Sequence, residues 1–439
     1  MNFQESQTYL LALGNEVLAM KLGLENIEKL LRALENPEKN YFKVQVAGTN
    51  GKGSTCAFLE SICLSGGIKT GLTTSPHLIS ITERIKIDGQ KISEKVFAGY
   101  ATKIKETSEK LVAEKKLDTL PTFFEQITAI ALFAFAEAKV ELAILETGLG
   151  GRFDAMTAAR AEIVAITPID FDHQQILGNT LSAIAAEKAA IVRADTRVIV
   201  APQKKEVENV IYGKSREVGV EPIWAIPKVK LIENLGGGLL YLSFMTKKNN
   251  YKVDFSMHGK HQWTNATLAI YTAENLRDFD FKITEENIEN GLEITEHKGR
   301  LEFYKGILFD GAHNISGAAS LKSYLDEFIK QPITMIFGTM RDKDLAEIAG
   351  ILFPKAEFLI FTKPDNPRSV GTVDLKDFLP ENFNLQNVFE TETVADAIEK
   401  AKEISPDKNL ILITGSLYLV GEAQKILAEI DAQQADKEI

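Results

Sequence analysis

Val44–Thr55 reads VQVAGTNGKGST: an apolar β-branched run, a glycine-rich turn, and the polar start of a helix. The ordinary phosphate-loop pattern G-x-x-x-x-G-K-[ST] fails here, because Gly53 follows Lys52 where a hydroxyl residue should stand. The physical requirements are still met. Glycines let backbone N–H groups approach phosphate oxygens, the helix N-terminus adds a positive dipole end, and Lys52 supplies a mobile cation. Ser54 brings a hydroxyl able to face a metal ion. Thr49, Asn50, Gly51, Lys52, Gly53 and Ser54 are therefore candidate nucleotide contacts. The bland alternative is a tight turn with no ligand, and a lysine inside a strand–loop–helix junction weighs against it.

Outward from this loop the chain keeps the same alternation. Tyr41–Ala47, Lys69–Thr74, Leu142–Thr147 and Ile163–Ile169 read as strands, and Ser54–Leu64, Phe123–Ala138 and Thr180–Ile191 as helices. Near-continuous apolar strands between helices predict a parallel sheet covered on both faces. Pro227–Met257 instead alternates in period two around Gly-rich and Asn-rich turns, which predicts an antiparallel excursion. A second β/α series follows, with strands expected at Gly306–Phe309, Ile333–Phe337, Phe358–Phe361 and Leu410–Ile413. The charged, glycine-containing stretch Thr295–Arg300 is the expected boundary, giving domains 1–296 and 297–439. The last residues, QQADKEI, read as disordered.

Bulk properties narrow the function. The chain has 439 residues, enough for two or three domains. A net charge of −11 gives no bulk attraction to nucleic acid or an anionic membrane. Two cysteines, Cys56 and Cys63, share one predicted helix and suit small buried side chains better than a disulfide or metal site. No signal peptide or membrane span is read, so the expected location is the cytoplasm.

Other side chains gather at strand ends. Glu146 closes the apolar run Ala143–Leu145, where ligands sit in open α/β sheets. A hard cation bridging phosphates wants oxygen, so Glu146 with Ser54 or Ser75 makes chemical sense. His173 lies just past the next strand. Lys188 sits in the apolar helix SAIAAEKAAIV, where an unpaired ammonium is expensive. It either pairs with Glu187 at the helix edge or loses its positive charge.

The blocks TTSPHL, ERI, TFFE, ETGLGGRFDA, DFDHQQILGNT, EKAAIV, HGKHQWTNATLA, HKGRLE, DGAHN, MRDKD and TGSLYLVGE follow the loop in order. Together they resemble the folylpolyglutamate synthase and dihydrofolate synthase family of the Mur ligase superfamily, over nearly the whole chain. The resemblance implies a P-loop, Mur-ligase-like α/β ATPase domain with the antiparallel excursion, then a smaller Rossmann-like α/β domain. It implies a monomeric, ATP-dependent ligase that joins L-glutamate to dihydropteroate or folates through an acyl phosphate. Two Mg²⁺ ions are implied, one on Ser75 and Glu146, the other on Glu146, His173 and a carbamylated Lys188. Asn265, Arg300 and Asp310 match ATP contacts. Met20, Lys21, Leu22, Thr122, Phe123, Phe124, Glu125, Phe153, Asp154 and Ala155 match the pterin side, and His313 and Ser416 fit incoming glutamate.

The sequence departs from the family at Met156–Thr157 (usually Thr-Asn), Ala190 (Gly), Lys298 (Pro) and Ile315 (Pro), none of them a proposed ligand. His297 is left without a role. Polyglutamylation alone is the near alternative. A peptidoglycan-type Mur ligase is more distant, since a phosphate loop starting at Gly48 leaves no room for that group's usual N-terminal domain. A P-loop kinase or switch GTPase leaves the second β/α series unexplained, and a non-catalytic nucleotide binder would not turn over ATP with folate and glutamate.

Overall fold

The computed structural model describes residues 1–14, 23–341, 343–406 and 408–435. The phosphate-loop strand β1 (Phe42–Ala47) lies inside a sheet with β2 (Thr70–Thr73), β3 (Ile85–Ile87), β4 (Gln90–Lys91), β5 (Leu142–Glu146), β6 (Ile163–Ile166), β7 (Arg197–Val200) and β8 (Ile223–Trp224). Their order is β4-β3-β2-β5-β1-β6-β7-β8. All neighbours from β2 to β8 pair in parallel, and only the β3 and β4 edge is antiparallel. Successive side chains of β5 enter different cores. Leu142 and Ile144 join one cluster, Ala143 and Leu145 the other, which is why the strand is apolar throughout.

β6 is shorter than the expected Ile163–Ile169, because Pro168 has no N–H to give the ladder. The freed Pro168 carbonyl accepts from the Thr49 and Asn50 N–H groups at 3.1 and 3.4 Å. The strand end thus becomes a support for the phosphate loop. Helix Lys52–Ser65 starts two residues earlier than read, directly after left-handed Gly51. Cys56 and Cys63 are free and fully buried in it.

The excursion forms β9 (Val229–Gly236), β10 (Leu239–Met245) and β11 (Asn250–Phe255), an antiparallel sheet in the order β11-β10-β9. Leu240, Leu242, Phe244, Tyr251, Val253 and Phe255 face the core shared with helix Lys52–Ser65, where Phe58 stacks on Phe255 at 5.5 Å.

A third sheet holds β12 (Glu302–Tyr304), β13 (Ile307–Asp310), β14 (Ile333–Phe337), β15 (Phe358–Phe361), β16 (Val388–Glu390) and β17 (Leu410–Thr414). Its order is β12-β13-β17-β14-β15-β16, parallel except at β12. One face packs on helices Ile315–Phe328 and Leu345–Leu352, the other on Val394–Ile404 and Leu417–Ala435. That last helix takes in the first three residues of the tail read as disordered; the final four lie outside the described residues. Among the described residues no helix is long and apolar enough to cross a membrane.

Candidate active site

The ends of β1, β5 and β6 meet the end of β13 across one cleft. Gly48 through Ser54, Ser75, Glu146, His173, Lys188, Asn265, Arg300, Asp310 and His313 all line it, from both halves of the chain. The loop depends on missing side chains. A Cβ on Gly48 (φ +143°) would lie 1.9 Å from Thr167 Oγ1, and one on Gly51 (φ +90°) 2.1 Å from Asn265 Oδ1. Only glycine therefore lets Asn265, from helix His261–Leu276, reach the loop. Thr49 Oγ1 donates to the Asp170 carbonyl at 2.9 Å and accepts the Asp170 N–H at 3.0 Å, pinning the turn. Lys52 folds back and donates to the Gly48 and Thr49 carbonyls at 3.2 and 3.0 Å.

Glu146 is buried, and its Oε2 accepts the Ser75 N–H at 2.9 Å. Burial raises its pKa, opposed by the Lys52 charge and the Ser75 bond. Lys188 is also buried and donates to the Gly48 carbonyl at 2.8 Å. Burial, then the neighbouring Lys52 charge, brings its pKa down to about 7. The expected alternative partner is otherwise engaged, since Glu187 Oε1 accepts from Arg152 Nε at 2.9 Å. His173, in the left-handed region at φ 50°, is held neutral by burial, with a pKa of about 4.

Across the cleft, each carboxylate oxygen of Asp310 takes one backbone N–H. It accepts the Leu301 and Ala312 N–H groups at 3.0 Å, and burial lifts its pKa to about 6. His313 Nδ1 donates to the Gly311 carbonyl at 2.7 Å, which leaves Nε2 as the acceptor. Ser416 is buried and its Oγ accepts the Leu419 N–H, so it caps a helix and does not line the cleft.

The pterin candidates divide differently. Met20, Lys21 and Leu22 lie outside the described residues. Thr122 and Glu125 form a reciprocal capping box for helix Phe123–Ala138. Phe123 belongs to the core with the Arg84 guanidinium over its ring, while partly exposed Phe124 covers Gly148. Asp154 spends its carboxylate on the Gly148, Leu149 and Met156 N–H groups, beside half-buried Phe153 and buried Ala155. Met156 enters the core and Thr157 Oγ1 donates to the Gly151 carbonyl at 2.8 Å, so the departure at these positions is absorbed into loop packing.

Three residues inside the quoted blocks went without roles and prove to join the halves. Asp172 meets Lys343 at 3.0 Å, and the pair is nearly buried, at 12% and 10% exposure. Asn314 donates to Asp172 at 3.2 Å and to Asn50 at 3.0 Å. Burial alone would raise the Asp172 pKa, yet Lys343, His173 and His313 hold it well below the usual carboxylate range. Breaking such a buried pair from one side costs about 3–5 kcal/mol. His297 was also missed: its Nδ1 lies 3.0 Å from Ser54 Oγ. Chain separations of 171 and 243 residues hid both contacts from any local pattern.

The donor set fits magnesium and ATP. Among the described residues no three His, Cys, Asp or Glu side chains come together as a metal site of their own. Mg²⁺ typically takes one or two carboxylates and completes its shell with water and substrate phosphates, which is what buried Glu146 beside a phosphate loop would supply.

A glycine loop with an inserted Gly53, facing a second α/β sheet across a cleft, defines a Mur-type ligase. The Mur ligase middle domain model matches residues 46–273 and the Mur ligase, glutamate ligase domain model matches 299–417. Within that class the chain belongs to the dihydrofolate synthase/folylpolyglutamate synthase family. It is 34% identical over 424 residues to the dihydrofolate synthase/folylpolyglutamate synthase of Bacillus subtilis, covering 94% of this chain and 97% of that one. A probable bifunctional folylpolyglutamate synthase/dihydropteroate synthase of Haloferax volcanii is 31% identical over 97% of this chain, which spans half of that relative's length. The structure of Mycobacterium tuberculosis folylpolyglutamate synthase with ADP and AMPPCP superimposes with a TM-score of 0.88 at 29% identity, covering 97% of this chain and 99% of that one. E. coli FolC in complex with DHPP and ADP gives 0.84 at 26% identity, covering 99% of each.

Proposed function

We propose that the chain is an ATP-dependent ligase joining L-glutamate to dihydropteroate and to folates through an acyl phosphate. The observation that carries this reading is the single cleft in which Lys52 and buried Glu146 face Asp310 and His313. A carboxylate oxygen is a poor leaving group, so an amide can form only after activation. The substrate carboxylate attacks the γ-phosphorus and ADP leaves; the glutamate amine then attacks the acyl carbon, loses a proton, and phosphate leaves.

The chain's own contribution is placement and charge. Lys52 and the N-terminus of helix Lys52–Ser65 neutralise phosphate oxygens. Asn265, Arg300 and Asp310 hold the nucleotide, and His313 meets the incoming glutamate. Ser54, Ser75, Glu146, His173 and Lys188, the last as a carbamate, would hold two Mg²⁺ ions, which supply further charge neutralisation and alignment of the phosphates. In this reading the chain divides into domains 1–296 and 297–439 with the cleft between them, and the enzyme works as a monomer. Two free buried cysteines suit the reducing cytoplasm.

Polyglutamylation alone is favoured by one observation: Asp154 already spends both carboxylate oxygens on backbone N–H groups. Dual activity is the reading preferred here, as several relatives carry both names. Phosphate release should depend on glutamate with either dihydropteroate or tetrahydrofolate. Turnover with tetrahydrofolate only would reduce the enzyme to polyglutamylation, and turnover with neither would refute the ligase reading.

A further inference from the structure

His297 sits in the connector between helix Glu285–Ile294 and β12, and both sides of it are anchored. Before it, Thr295 Oγ1 donates to the Gly291 carbonyl at 2.6 Å, and the Thr295 carbonyl accepts from Ser256 Oγ at 2.8 Å. After it, the Gly299 N–H goes to Glu302, and the Gly299 carbonyl accepts from the Gly311 N–H at 2.9 Å on the third sheet's side. Between these anchors the imidazole turns into the cleft and meets Ser54 Oγ through Nδ1 at 3.0 Å. Ser54 is 3% exposed and is the third residue of the phosphate-loop helix.

The unusual Gly53 explains how the ring gets there. A Cβ at that position would stand 2.8 Å from His297 Cε1, closer than real Cβ atoms come, so any side chain would push the ring off Ser54. The inserted glycine that breaks the ordinary phosphate-loop pattern thus makes room for a residue of the connector. A serine hydroxyl is otherwise a free rotor. Bonded to Nδ1, its oxygen is held in one side-chain rotamer before the nucleotide arrives. If Nδ1 accepts, the oxygen lone pairs face the cleft; if Nδ1 donates, the O–H is left to donate into it. Fixing the rotor in advance lowers the ordering cost of binding.

We propose that His297 is a positioning residue that presets the Ser54 hydroxyl for the nucleotide and ties the phosphate loop to the connector between the sheets. This rests on the reading that the loop holds ATP phosphates.

The test is titration calorimetry with β,γ-methylene ATP and Mg²⁺ on the full chain. His297→Ala should weaken binding by about tenfold, the scale of one lost hydrogen bond. His297→Asn, whose amide reaches the Nδ1 position, should return to within about twofold of wild type, while His297→Gln, reaching Nε2, should stay weak. The double variant with Ser54→Ala should bind no more weakly than Ser54→Ala alone. Unchanged affinity in His297→Ala, equal affinities for the Asn and Gln variants, or losses that multiply in the double variant would each overturn the proposal. Should His297→Ala fail to fold, the Asn and Gln pair still decides it. Wild-type protein that binds no nucleotide would overturn the functional reading instead.

Discussion

Lys188→Ala is expected to lower kcat by about a hundredfold or more, the loss typical when a ligand's support at a metal site is removed. The reason lies in what surrounds the amine. Lys188 is buried beside Lys52, and those two effects bring its pKa from 10.5 to about 7. Near pH 7 about half of the Lys188 side chains are therefore neutral, against about one in three thousand for an ordinary lysine. A neutral amine can add CO₂ and become a carbamate, which turns a repelled cation into an oxygen ligand. An ammonium cannot. Activity should consequently fall as pH drops below about 7 and Lys188 takes up its proton, and it should fall in CO₂-depleted buffer at constant pH. A small carboxylic acid at high concentration should restore part of the activity of Lys188→Ala by supplying the missing oxygens. If CO₂ depletion changes nothing and no acid rescues the variant, Lys188 acts only as the buried donor to the Gly48 carbonyl.

Lys52→Ala should cost about 10²–10³ in kcat, as for removal of one preorganised donor to developing charge. Its ammonium is held by the Gly48 and Thr49 carbonyls, contacts that polyphosphate would compete for. The side chain packs in no apolar core, so the melting temperature of the variant should stay close to that of the wild type. Near wild-type turnover in a properly folded variant would refute the phosphate-loop assignment.

Much of this architecture is legible in the chain because its signals are local. The apolar run that became β5 is continuous, as two-sided burial requires, and the period-two stretch after Pro227 became the small antiparallel sheet. That Glu146, Lys52 and Ser75 gather at one cleft was readable because strand ends and glycine turns are where an α/β sheet exposes side chains. The pterin side read less well. Thr122 and Glu125 are ideal helix-capping residues, and the TFFE pattern looks the same whether they cap or bind. The contacts joining the halves were not legible at all. Asp172–Lys343 and Ser54–His297 depend on how the third sheet is set against the first, and no local period or spacing encodes that.

The claim of an acyl phosphate can be tested by following one atom. Tetrahydrofolate or dihydropteroate carrying heavy oxygen in the reacting carboxylate is incubated with ATP and glutamate, and the released phosphate is examined by mass spectrometry. Activation by phosphorylation transfers one carboxylate oxygen to phosphorus, so the account predicts one heavy oxygen in each phosphate released. Unlabelled phosphate accompanying amide product would contradict it.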